Sequence, residues 1–425
     1  MASEAASREL STNDDYVQDQ RSDRARPIPR ISIQGFCENN HTAEAIQVAA
    51  DDRRLAKAHV SVHMGGIEAA VAHYQESPTP NLIIIESSLH ASDLLYQLDR
   101  LAECCDAGTK VVVVGNANDV LLYRELLKRG VAEYLIGPVS TMQVMESISS
   151  LYNDPHADPV GHIIAFVGAK GGIGSSTVCH NVSWSMSEIL KANVVIADLD
   201  LAFGTAGLDF NQDPVQGIAE ALGSPERLDE VLLDRLLTKC SDHLSIFAAP
   251  GTLDRDYDLT ADSCDIVLDV VRQNVPYVTV DLPHVWTSWS KRILTQADEI
   301  VISATPDLAS LRNTKNLVDL LKQVRQNDRP PHLVINMQGI PKRPEIPVKD
   351  FEQALDLKAC SVIEFDAEAF GQAANNGQMI EEMTPKAKSV QNFREIALAV
   401  TGRRETRVEK KSALAPILER FKIKR

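Results

Sequence analysis

Short runs of almost uninterrupted apolar residues recur along this chain of 425 residues, and amphipathic segments of helical period separate them. In the first half they read LIIIESS, KVVVVGN and AEYLIGP, and in the second half NVVIADLD, YVTVDLP and EIVISATP. A strand that is apolar on both faces has to be covered on both faces, which is the situation of a parallel strand in an α/β sheet. The sequence therefore predicts an α/β fold with two doubly wound parallel sheets.

Breaks in this alternation divide the chain into segments. Residues 1–29 are rich in Ser, Asp, Arg and Gln and show no apolar period, which is typical of a disordered segment. The alternation then runs through residues 30–152, stops at the polar, proline-containing connector 153–161, and restarts on a larger scale over residues 162–402. We therefore expect two α/β domains joined by a linker, followed by a separate tail at residues 403–425.

The composition limits what the protein binds and where it acts. The formal net charge of -16 argues against non-specific adsorption to nucleic acid, which requires clustered Lys and Arg. The seven cysteines show no metal-ligand or C-x-x-C spacing, which indicates reduced thiols in a cytoplasmic protein. The N-terminus lacks the apolar core of a signal peptide, and no apolar run approaches the roughly 18 residues of a membrane span. We expect a cytoplasmic protein that does not bind nucleic acid.

A glycine-rich stretch at the start of the second domain, FVGAKGGIGSSTVCHN, is the first candidate site. It follows the apolar strand IIAF and leads into a helical pattern, so that backbone N–H groups of the loop and the helix start converge on an anion. In the common phosphate loop GxxxxGK(S/T) a lysine contacts the β- and γ-phosphates, and Ser175 occupies that place here. Lys170 lies near the start of the loop, and Ser176 falls at the position that ligates Mg²⁺. A glycine-rich turn alone is equally compatible with a tight connection from strand to helix.

Aspartates follow two later strands of the same domain. NVVIADLD ends with Asp198 and Asp200, and YVTVDLP carries Asp281. Open α/β sheets bind their ligands at the carboxyl ends of the strands, and acids there hold Mg²⁺ or orient an attacking water. Each aspartate alone is more simply a helix cap or a turn residue. The three together, downstream of the loop, predict a Mg²⁺-nucleotide site.

These motifs together resemble a known family. KGGIGSST is similar to the deviant Walker A motif of the MinD/ParA ATPases, whose usual form is KGGVGKTT. The stretches DLDLAFGTAGLDF, VDLPH and TPDLASLRNTKNL are most similar to one branch, the CpaE/TadZ proteins of tight-adherence (Flp) pilus assembly. The resemblance covers residues 162–402 well and extends to the layout of two domains.

The resemblance implies roles for individual residues. Two are expected to be catalytic: Lys170 as the signature lysine that reaches the partner's phosphates in an ATP-sandwich dimer, and Asp200 as the acid that orients water. Ser176 and Asp281 are implied as the Mg²⁺ side of the site. Asn336 is implied as the contact to the adenine edge, and NNGQMIEEMTPKAKS as a loop near the base in which no single residue has an assigned role. The expected ATP-binding residues are Lys170, Gly171, Gly172, Ile173, Gly174, Ser175, Ser176, Thr177 and Asn336.

Ser175 is where this chain departs from the family pattern. The loss of one charge-assisted contact to phosphate removes roughly 1.5 to 3 kcal/mol, which is about tenfold to hundredfold in affinity or rate. A lysine donated by a partner subunit replaces part of the missing charge only in a dimer, so nucleotide binding and dimerisation are expected to be coupled. We predict an ATP-dependent homodimer switch with slow or absent hydrolysis. The rival interpretations are a MinD-like septum-site ATPase and a ParA-like partition ATPase with genuine turnover.

The first domain resembles a response-regulator receiver domain that has lost its chemistry. LIIIESS places Glu86 at the phosphoacceptor position, Cys37 and Glu38 stand in place of the metal-binding acids, and the late Lys-Pro is Gly137-Pro138. Glu86 either imitates a phosphorylated aspartate, or the domain is a pseudo-receiver kept as a docking or dimerising surface. We favour the second interpretation. The resemblance to pilus proteins implies a position at the cell pole or at the inner face of the inner membrane, with other pilus-assembly or polar-localisation proteins as partners.

The C-terminal tail is basic, whereas the chain as a whole is acidic. Residues 403–425 carry nine Lys/Arg against three Glu, with apolar residues at helical spacing. This pattern suits weak contact with an anionic membrane surface. A solubilising tail, or a helix that folds back on the second domain, is an equally good interpretation.

Overall fold

The computed structural model of the chain describes Ile28 and residues 31–106, 108–152, 160–253 and 257–403. The predicted disordered segment and the predicted basic tail lie outside the described residues, apart from Ile28 and Arg403. Ile28 is buried, and its N–H donates to the carbonyl of Arg54. Ile28 therefore contacts the first unit, and the boundary at residue 30 stays a prediction. None of the described helices combines the length and the apolar character that a membrane crossing requires.

Proximity of Cα atoms divides the chain into two units. The first comprises Met1–Val160 with Leu321–Arg329, and the second comprises Gly161–Leu320 with Pro330–Arg425. Residues 321–329, which include the end of the helix Leu308–Val324 of the second unit, group with the first unit, and the expected domain limits stay a prediction.

The first unit is a five-stranded parallel sheet with helices on both faces. Its elements are β1 (Ser32–Cys37), α1 (Asn40–Ala50), β2 (His59–Met64), α2 (Gly66–Tyr74), β3 (Leu82–Ser87), α3 (Ala91–Ala102), β4 (Lys110–Gly115), α4 (Val120–Lys128), β5 (Glu133–Ile136) and α5 (Thr141–Tyr152). The strand order is β2-β1-β3-β4-β5, and neighbouring strands are parallel. This order is that of receiver-like doubly wound folds, and it confirms the predicted fold class.

Sequence analysis detected the central strands of this sheet but missed β2 and α2. β3 is buried along its whole length, which its apolar run predicts. β2 reads HVSVHM, has no buried residue and lies at the edge of the sheet. An edge strand needs no continuous apolar run because one side of it faces solvent, so the signal used for the other strands does not apply to it.

The second unit contains an eight-stranded sheet. Its elements up to β9 are β6 (His162–Gly168), α6 (Ser175–Leu190), β7 (Val194–Asp198), α7 (Ala206–Asp209), α8 (Ile218–Gly223), α9 (Glu230–Leu236), β8 (Thr238–Lys239) and β9 (Leu244–Phe247). The later elements are α10 (Ala261–Asn274), β10 (Tyr277–Asp281), α11 (Ser288–Gln296), β11 (Glu299–Ala304), α12 (Leu308–Val324), β12 (His332–Gln338), α13 (Val348–Leu355), β13 (Ala359–Glu364), α14 (Ala367–Asn376), α15 (Ile380–Met383) and α16 (Lys388–Val400). The order is β13-β12-β11-β6-β10-β7-β9-β8, and only the short β8 runs antiparallel to its neighbour.

Strand order brings the predicted site residues of this unit to one edge of the sheet. β10 lies between β6 and β7, although it follows both of them in the sequence. In the register of these strands Asp281 pairs with Phe166 of β6 and with Asp198 of β7. The two buried aspartates are therefore direct neighbours, and both lie beside the strand that leads into the glycine-rich loop.

Candidate nucleotide-binding site

The glycine-rich loop connects β6 to α6, and its glycines set its shape. Gly172 and Gly174 have φ angles of 75° and 77°, a left-handed conformation that residues with a side chain avoid. A Cβ on Gly174 would lie 2.8 Å from the amide nitrogen of Asn336, whereas one on Gly171 or Gly172 would meet no atom within 4 Å. The tip of the loop is therefore open to an incoming group, while its base is closely packed.

Three contacts fix the loop from behind. Ile173 is buried in a cluster with Ile335 of β12. Nδ2 of Asn336 donates to the carbonyl of Ile173, and Nδ2 of Asn313 donates to the carbonyl of Ala169, both at 2.8 Å. The loop is thus preorganised by its own core contacts, which lowers the entropic cost of binding a ligand there.

The start of α6 offers backbone donors to an anion. Its N-cap residue is Gly174, which has no capping side chain, so the first-turn N–H groups lack the partner that a capping side chain supplies. The positive end of a 16-residue helix adds to their attraction for an anion. The hydroxyl oxygen of Ser175 is buried and has no hydrogen-bond partner among the described residues. Ser175 is short and neutral, so it does not supply the cation that a lysine would bring to this position.

Ser176 and Asp281, the predicted Mg²⁺ pair, lie together. The hydroxyl of Ser176 acts on the Asp281 carboxyl group and lowers its pKa, and Asp281 is 2% exposed. Burial is the main cause that raises the pKa of Asp281 to about 7; Asp198 adds to it, while His180 and Ser176 oppose it. Oδ1 of Asp281 has no hydrogen-bond partner within the described part of the chain. A buried carboxylate oxygen without a partner is unfavourable, and a bound cation with its waters would satisfy it.

Asp198 and Asp200 differ in accessibility and in role. Asp198 is fully buried and accepts hydrogen bonds from the N–H groups of Asp200 and Ala206, both at 3.1 Å. A Cβ on Gly204 would lie 2.4 Å from Oδ2 of Asp198, so the loop closes tightly around this carboxylate. Asp200 is partly exposed and accepts from the N–H of Phe203 at 3.1 Å. Asp198 therefore shapes the loop that presents Asp200, whose role toward water stays a prediction.

Lys170 is held by a partner that sequence analysis did not assign. Its Nζ donates to Oδ2 of Asp307 at 2.6 Å, and the hydroxyl of Thr305 donates to the same oxygen at 2.6 Å. The N–H of Ser310 donates to Oδ1 of Asp307 at 3.0 Å. Burial alone raises the pKa of Asp307, but the hydrogen bonds from Lys170, Thr305 and Ser310 outweigh it and lower the pKa to about 2. The pair is therefore ionic at neutral pH, and Lys170 remains 36% exposed at the edge of the site.

A cleft of about 140 Å³ opens beside the base of the loop. It is lined by Gly174, Thr177, Asn336, Met337, Glu364, Phe365, Asp366, Ala367, Phe370 and Gly371. Aromatic rings with a few polar groups beside them are typical of sites for planar ligands. The cleft lies next to Asn336, for which contact with adenine is predicted.

The predicted base-side loop NNGQMIEEMTPKAKS does not line this cleft. Met379 and Ile380 of that loop are buried in the core, and the N–H of Ile380 donates to Oδ1 of Asn181 at 3.0 Å. The cleft is instead lined by residues 364–367, at the end of β13 and directly after it. Their position at the carboxyl end of a parallel strand is the same signal that singled out Asp281.

His180 is a further residue near the site that sequence analysis missed. It is fully buried on α6, between Asp209 and Asp281. Its only sequence signal is its place four residues after Ser176, which puts both side chains on one face of the helix.

The phosphoacceptor position of the receiver-like unit has only internal contacts. Glu86 accepts from the N–H groups of Glu38 at 2.7 Å and Asn39 at 2.9 Å, from the side-chain amide of Asn39, and from the hydroxyl of Thr42 at 2.7 Å. Glu38 accepts in turn from the N–H of Ser88 at 2.9 Å. The two carboxylates tie the start of α1 to the end of β3. This arrangement favours a structural role for Glu86 and thus the pseudo-receiver interpretation.

Comparison with known proteins places the chain in a family. Residues 161–335 match the family described as an AAA domain. The septum site-determining protein MinD of Bacillus subtilis (strain 168) is 25% identical over 257 residues, which are 57% of this chain and 90% of that protein. The crystal structure of the pilus assembly protein CpaE from Caulobacter crescentus CB15 is 51% identical and matches over 98% of that chain and 30% of this one, with a TM-score of 0.30. The chain is a CpaE-like member of the MinD/ParA P-loop ATPase family.

A further structural neighbour shares the fold of the second unit of this CpaE-like protein. The ParA family ATPase from Chlorobium tepidum TLS is 24% identical, covers 56% of this chain and 98% of its own, and has a TM-score of 0.51. The family and fold predicted from the motifs are thereby confirmed. The roles of the individual residues stay predictions.

The residues of this CpaE-like site fit the ATP and Mg²⁺ that a P-loop ATPase binds. The open loop tip, the uncapped start of α6 and the unpaired oxygen of Asp281 suit phosphate and a hydrated cation. Among the described residues no group of three or more His, Cys, Asp or Glu is arranged to hold a metal ion by itself. This is the pattern expected of Mg²⁺, which is usually bound by few protein ligands together with phosphate oxygens and waters.

Proposed function

We propose that the protein is an ATP-binding localisation and assembly factor for tight-adherence (Flp) pili, and that it acts as an ATP-dependent dimer switch with slow or absent hydrolysis. One observation carries the proposal: a preorganised phosphate loop beside Ser176 and Asp281 has a neutral side chain at position 175. Such a loop retains its backbone donors and its Mg²⁺ side. It lacks the cation that stabilises the transferred phosphoryl group in related ATPases.

Lys170 supplies that charge in the proposed dimer. In the single subunit it is paired with Asp307 at 2.6 Å. Movement of Lys170 to the phosphates of a partner subunit exchanges one charge-assisted hydrogen bond for another, so the net free-energy cost of release is small. Asp307 thereby holds the lysine until a nucleotide-bound partner competes for it.

Exposed apolar residues at the same edge of the sheet support a dimer. Phe203, Trp286 and Leu308 follow β7, β10 and β11 and are 74%, 57% and 74% exposed. The carboxyl ends of these parallel strands meet at one edge, where the glycine-rich loop also lies. Large apolar side chains that stay exposed around a site are typical of a surface that another protein covers.

The cellular role rests on the similarity to CpaE. We propose other pilus-assembly or polar-localisation proteins as partners, the pseudo-receiver as their docking surface, and a position at the cell pole or the inner face of the inner membrane. The basic tail, residues 403–425, is proposed to add weak contact with the membrane surface.

A comparison of two lysine variants tests the switch. Lys170→Ala is expected to bind ATP as a monomer but to lose the mass shift that ATP and Mg²⁺ cause in the wild type, because the lysine acts across the dimer. Lys315→Ala is the matched control, since it removes a partly exposed lysine with its own carboxylate partner, Asp319, on α12. Molar mass by light scattering is measured with and without ATP-Mg²⁺, beside a phosphate-release assay.

Three results would overturn parts of the proposal. Normal ATP-dependent dimerisation of Lys170→Ala contradicts the role of this lysine. Turnover of the wild type comparable to that of ordinary P-loop ATPases, stimulated by a partner, favours the MinD-like alternative. Tight binding of duplex DNA at physiological salt favours the ParA-like alternative.

A further inference from the structure

A buried imidazole lies between two parts of the candidate site. His180 is fully buried on α6, on the same face as Ser176. Its Nδ1–H donates to Oδ2 of Asp209 at 2.7 Å. Its Nε2 lies 3.6 Å from Oδ2 of Asp281, the carboxylate at the predicted Mg²⁺ position. One rigid ring thus faces the metal-side acid with one nitrogen and the segment after β7 with the other.

Asp209 fixes the second end of this connection. It is the last residue of the short helix α7, which follows the loop that carries Asp200. Its Oδ2 accepts from the hydroxyl of Thr205 at 3.2 Å, and its N–H donates to the carbonyl of Thr205 at 2.8 Å. A displacement of Asp209 is therefore transmitted directly to the loop end at Thr205.

The contact on the Asp281 side is incomplete. A separation of 3.6 Å is longer than a hydrogen bond. Nε2 of His180 and Oδ1 of Asp281 both lack hydrogen-bond partners among the described residues, and both atoms are buried. Unpaired buried polar atoms are unfavourable, and the two groups pair when a proton on Nε2 or on the Asp281 carboxyl group is combined with a small rotation of that group. Asp281 also interacts with the hydroxyl of Ser176, so its orientation depends on what the Ser176 side of the site binds.

We propose that His180 is a positioning residue that couples Asp281 to the segment 199–210. The inference rests on the proposed function, because Asp281 changes its engagement only when the site binds nucleotide. A turn of the Asp281 carboxylate makes or breaks the contact with Nε2, and the ring passes the displacement through Nδ1 to Asp209. The segment that responds carries Phe203 and Leu208, which are 74% and 72% exposed. Nucleotide binding is thereby linked to the apolar edge at which we propose the second subunit docks.

Two substitutions separate the two nitrogens of the ring. The amide nitrogen of Asn lies where Nδ1 lies in histidine, so His180→Asn keeps the hydrogen bond to Asp209 and loses the contact with Asp281. The longer side chain of Gln places its amide where Nε2 lies, so His180→Gln keeps the contact with Asp281 and loses the hydrogen bond to Asp209. A third variant, Thr205→Val, removes the hydrogen bond from the Thr205 hydroxyl to Asp209 at the end of the loop. This site lies outside the buried core. The variant therefore still tests the coupling if the substitutions of His180 prevent folding.

Hydrogen exchange of the segment 199–210 is the readout, measured with and without ATP-Mg²⁺ on the full chain. In the wild type we expect nucleotide to slow exchange in this segment by about fivefold or more, a typical size for coupling between two sites. In His180→Asn and His180→Gln the change is expected to fall below about twofold, and in Thr205→Val to be reduced. ATP affinity, measured by fluorescence titration, is expected to change by no more than about fivefold, because reciprocity limits the effect on binding to the size of the coupling.

The outcomes are distinct. If His180→Asn responds like the wild type, the link to Asp281 is refuted, and the imidazole only fills the core beside Phe210. If both His180 variants fail to fold, an undiminished response of Thr205→Val refutes the coupling. If the wild type binds ATP without any change in this segment, the coupling fails while the proposed function stands. If the wild type does not bind ATP-Mg²⁺, the proposed function and this inference both fail.

Discussion

At position 175 a serine stands where related phosphate loops have a lysine, and its surroundings explain how the loop persists without it. The loop is held by Ile173 in the core and by the side chains of Asn313 and Asn336, none of which depends on residue 175. The hydroxyl oxygen of Ser175 is itself without a partner in the described part of the chain. The serine therefore changes the charge of the loop and leaves its shape intact.

A lysine introduced at this position is expected to strengthen the site. Ser175→Lys adds a charge-assisted contact to phosphate, and we expect about tenfold tighter ATP binding or a similar rise in phosphate release. Ser150→Lys is the control, since it adds the same charge at an exposed serine near the end of α5. Fluorescence titration and phosphate release measure the two effects. An unchanged affinity together with an unchanged rate would mean that the loop does not bind phosphate.

At the level of elements, two neighbouring strands of the second sheet are joined at their amino ends by a half-buried ion pair. Nε2 of His332, the first residue of β12, pairs with Glu299 of β11 at 2.9 Å. The side chain of Cys360 in β13 also interacts with His332. Burial alone lowers the pKa of His332, but its interactions with Cys360 and Glu299 outweigh burial and raise the pKa to about 9. These amino ends lie opposite the sheet edge that carries the candidate site.

The raised pKa predicts how stability depends on pH. A pKa raised from 6.5 to about 9 means that the folded state binds the proton more tightly than the unfolded state. The stabilisation is therefore complete below pH 6.5 and is lost as pH rises through about 9. We expect a loss on the order of 2 kcal/mol in the free energy of unfolding across this range.

Urea unfolding at several pH values measures this effect. His332→Gln is expected to flatten the profile between pH 6.5 and 9.5, by removing the group that titrates, at the cost of some stability at neutral pH. His162→Gln, at an exposed histidine at the start of β6, is the control and is expected to keep the wild-type slope. If His332→Gln retains that slope, the pH dependence arises elsewhere.

At the level of the whole molecule, each unit places its chemistry at the carboxyl edge of a parallel sheet, and the two edges differ. In the first unit Glu86 and Glu38 occupy that edge with internal hydrogen bonds. In the second unit the edge carries an open loop tip and an unpaired carboxylate oxygen. The carboxylates at the first edge are hydrogen-bonded within their own unit, whereas the second edge has buried polar atoms without hydrogen-bond partners among the described residues.

The exposed apolar side chains around the second edge give a prediction for assembly. Trp286→Glu places a charge where the proposed partner subunit buries an aromatic ring, so the ATP-dependent dimer is expected to weaken by tenfold or more, about 1.4 kcal/mol. Nucleotide binding by the monomer is expected to be unchanged. Val231→Glu, at another exposed apolar residue of the same unit, is the control. Analytical ultracentrifugation with ATP-Mg²⁺ measures the dimer, and equal effects of the two variants would place the interface elsewhere.

Local sequence pattern determined the parts of this protein that depend on near neighbours. The buried strands, the helix starts and the glycine-rich loop each require particular residue types over a few positions, so runs such as LIIIES and KGGIGSST predicted them. The edge strand β2 was not predicted, because a half-exposed strand needs no continuous apolar run.

Only the tertiary structure decided which distant residues meet. Lys170 and Asp307 are 137 residues apart, and β10 joins β6 and β7 out of sequence order. The bridge from Asp281 through His180 to Asp209, and the cleft at residues 364–367, depend on the same strand order and on side-chain directions. The spacing of residues along the chain determines neither the strand order nor the side-chain directions, because both depend on how whole elements pack. The sequence by itself therefore determined the kind of site, and the packing determined its partners.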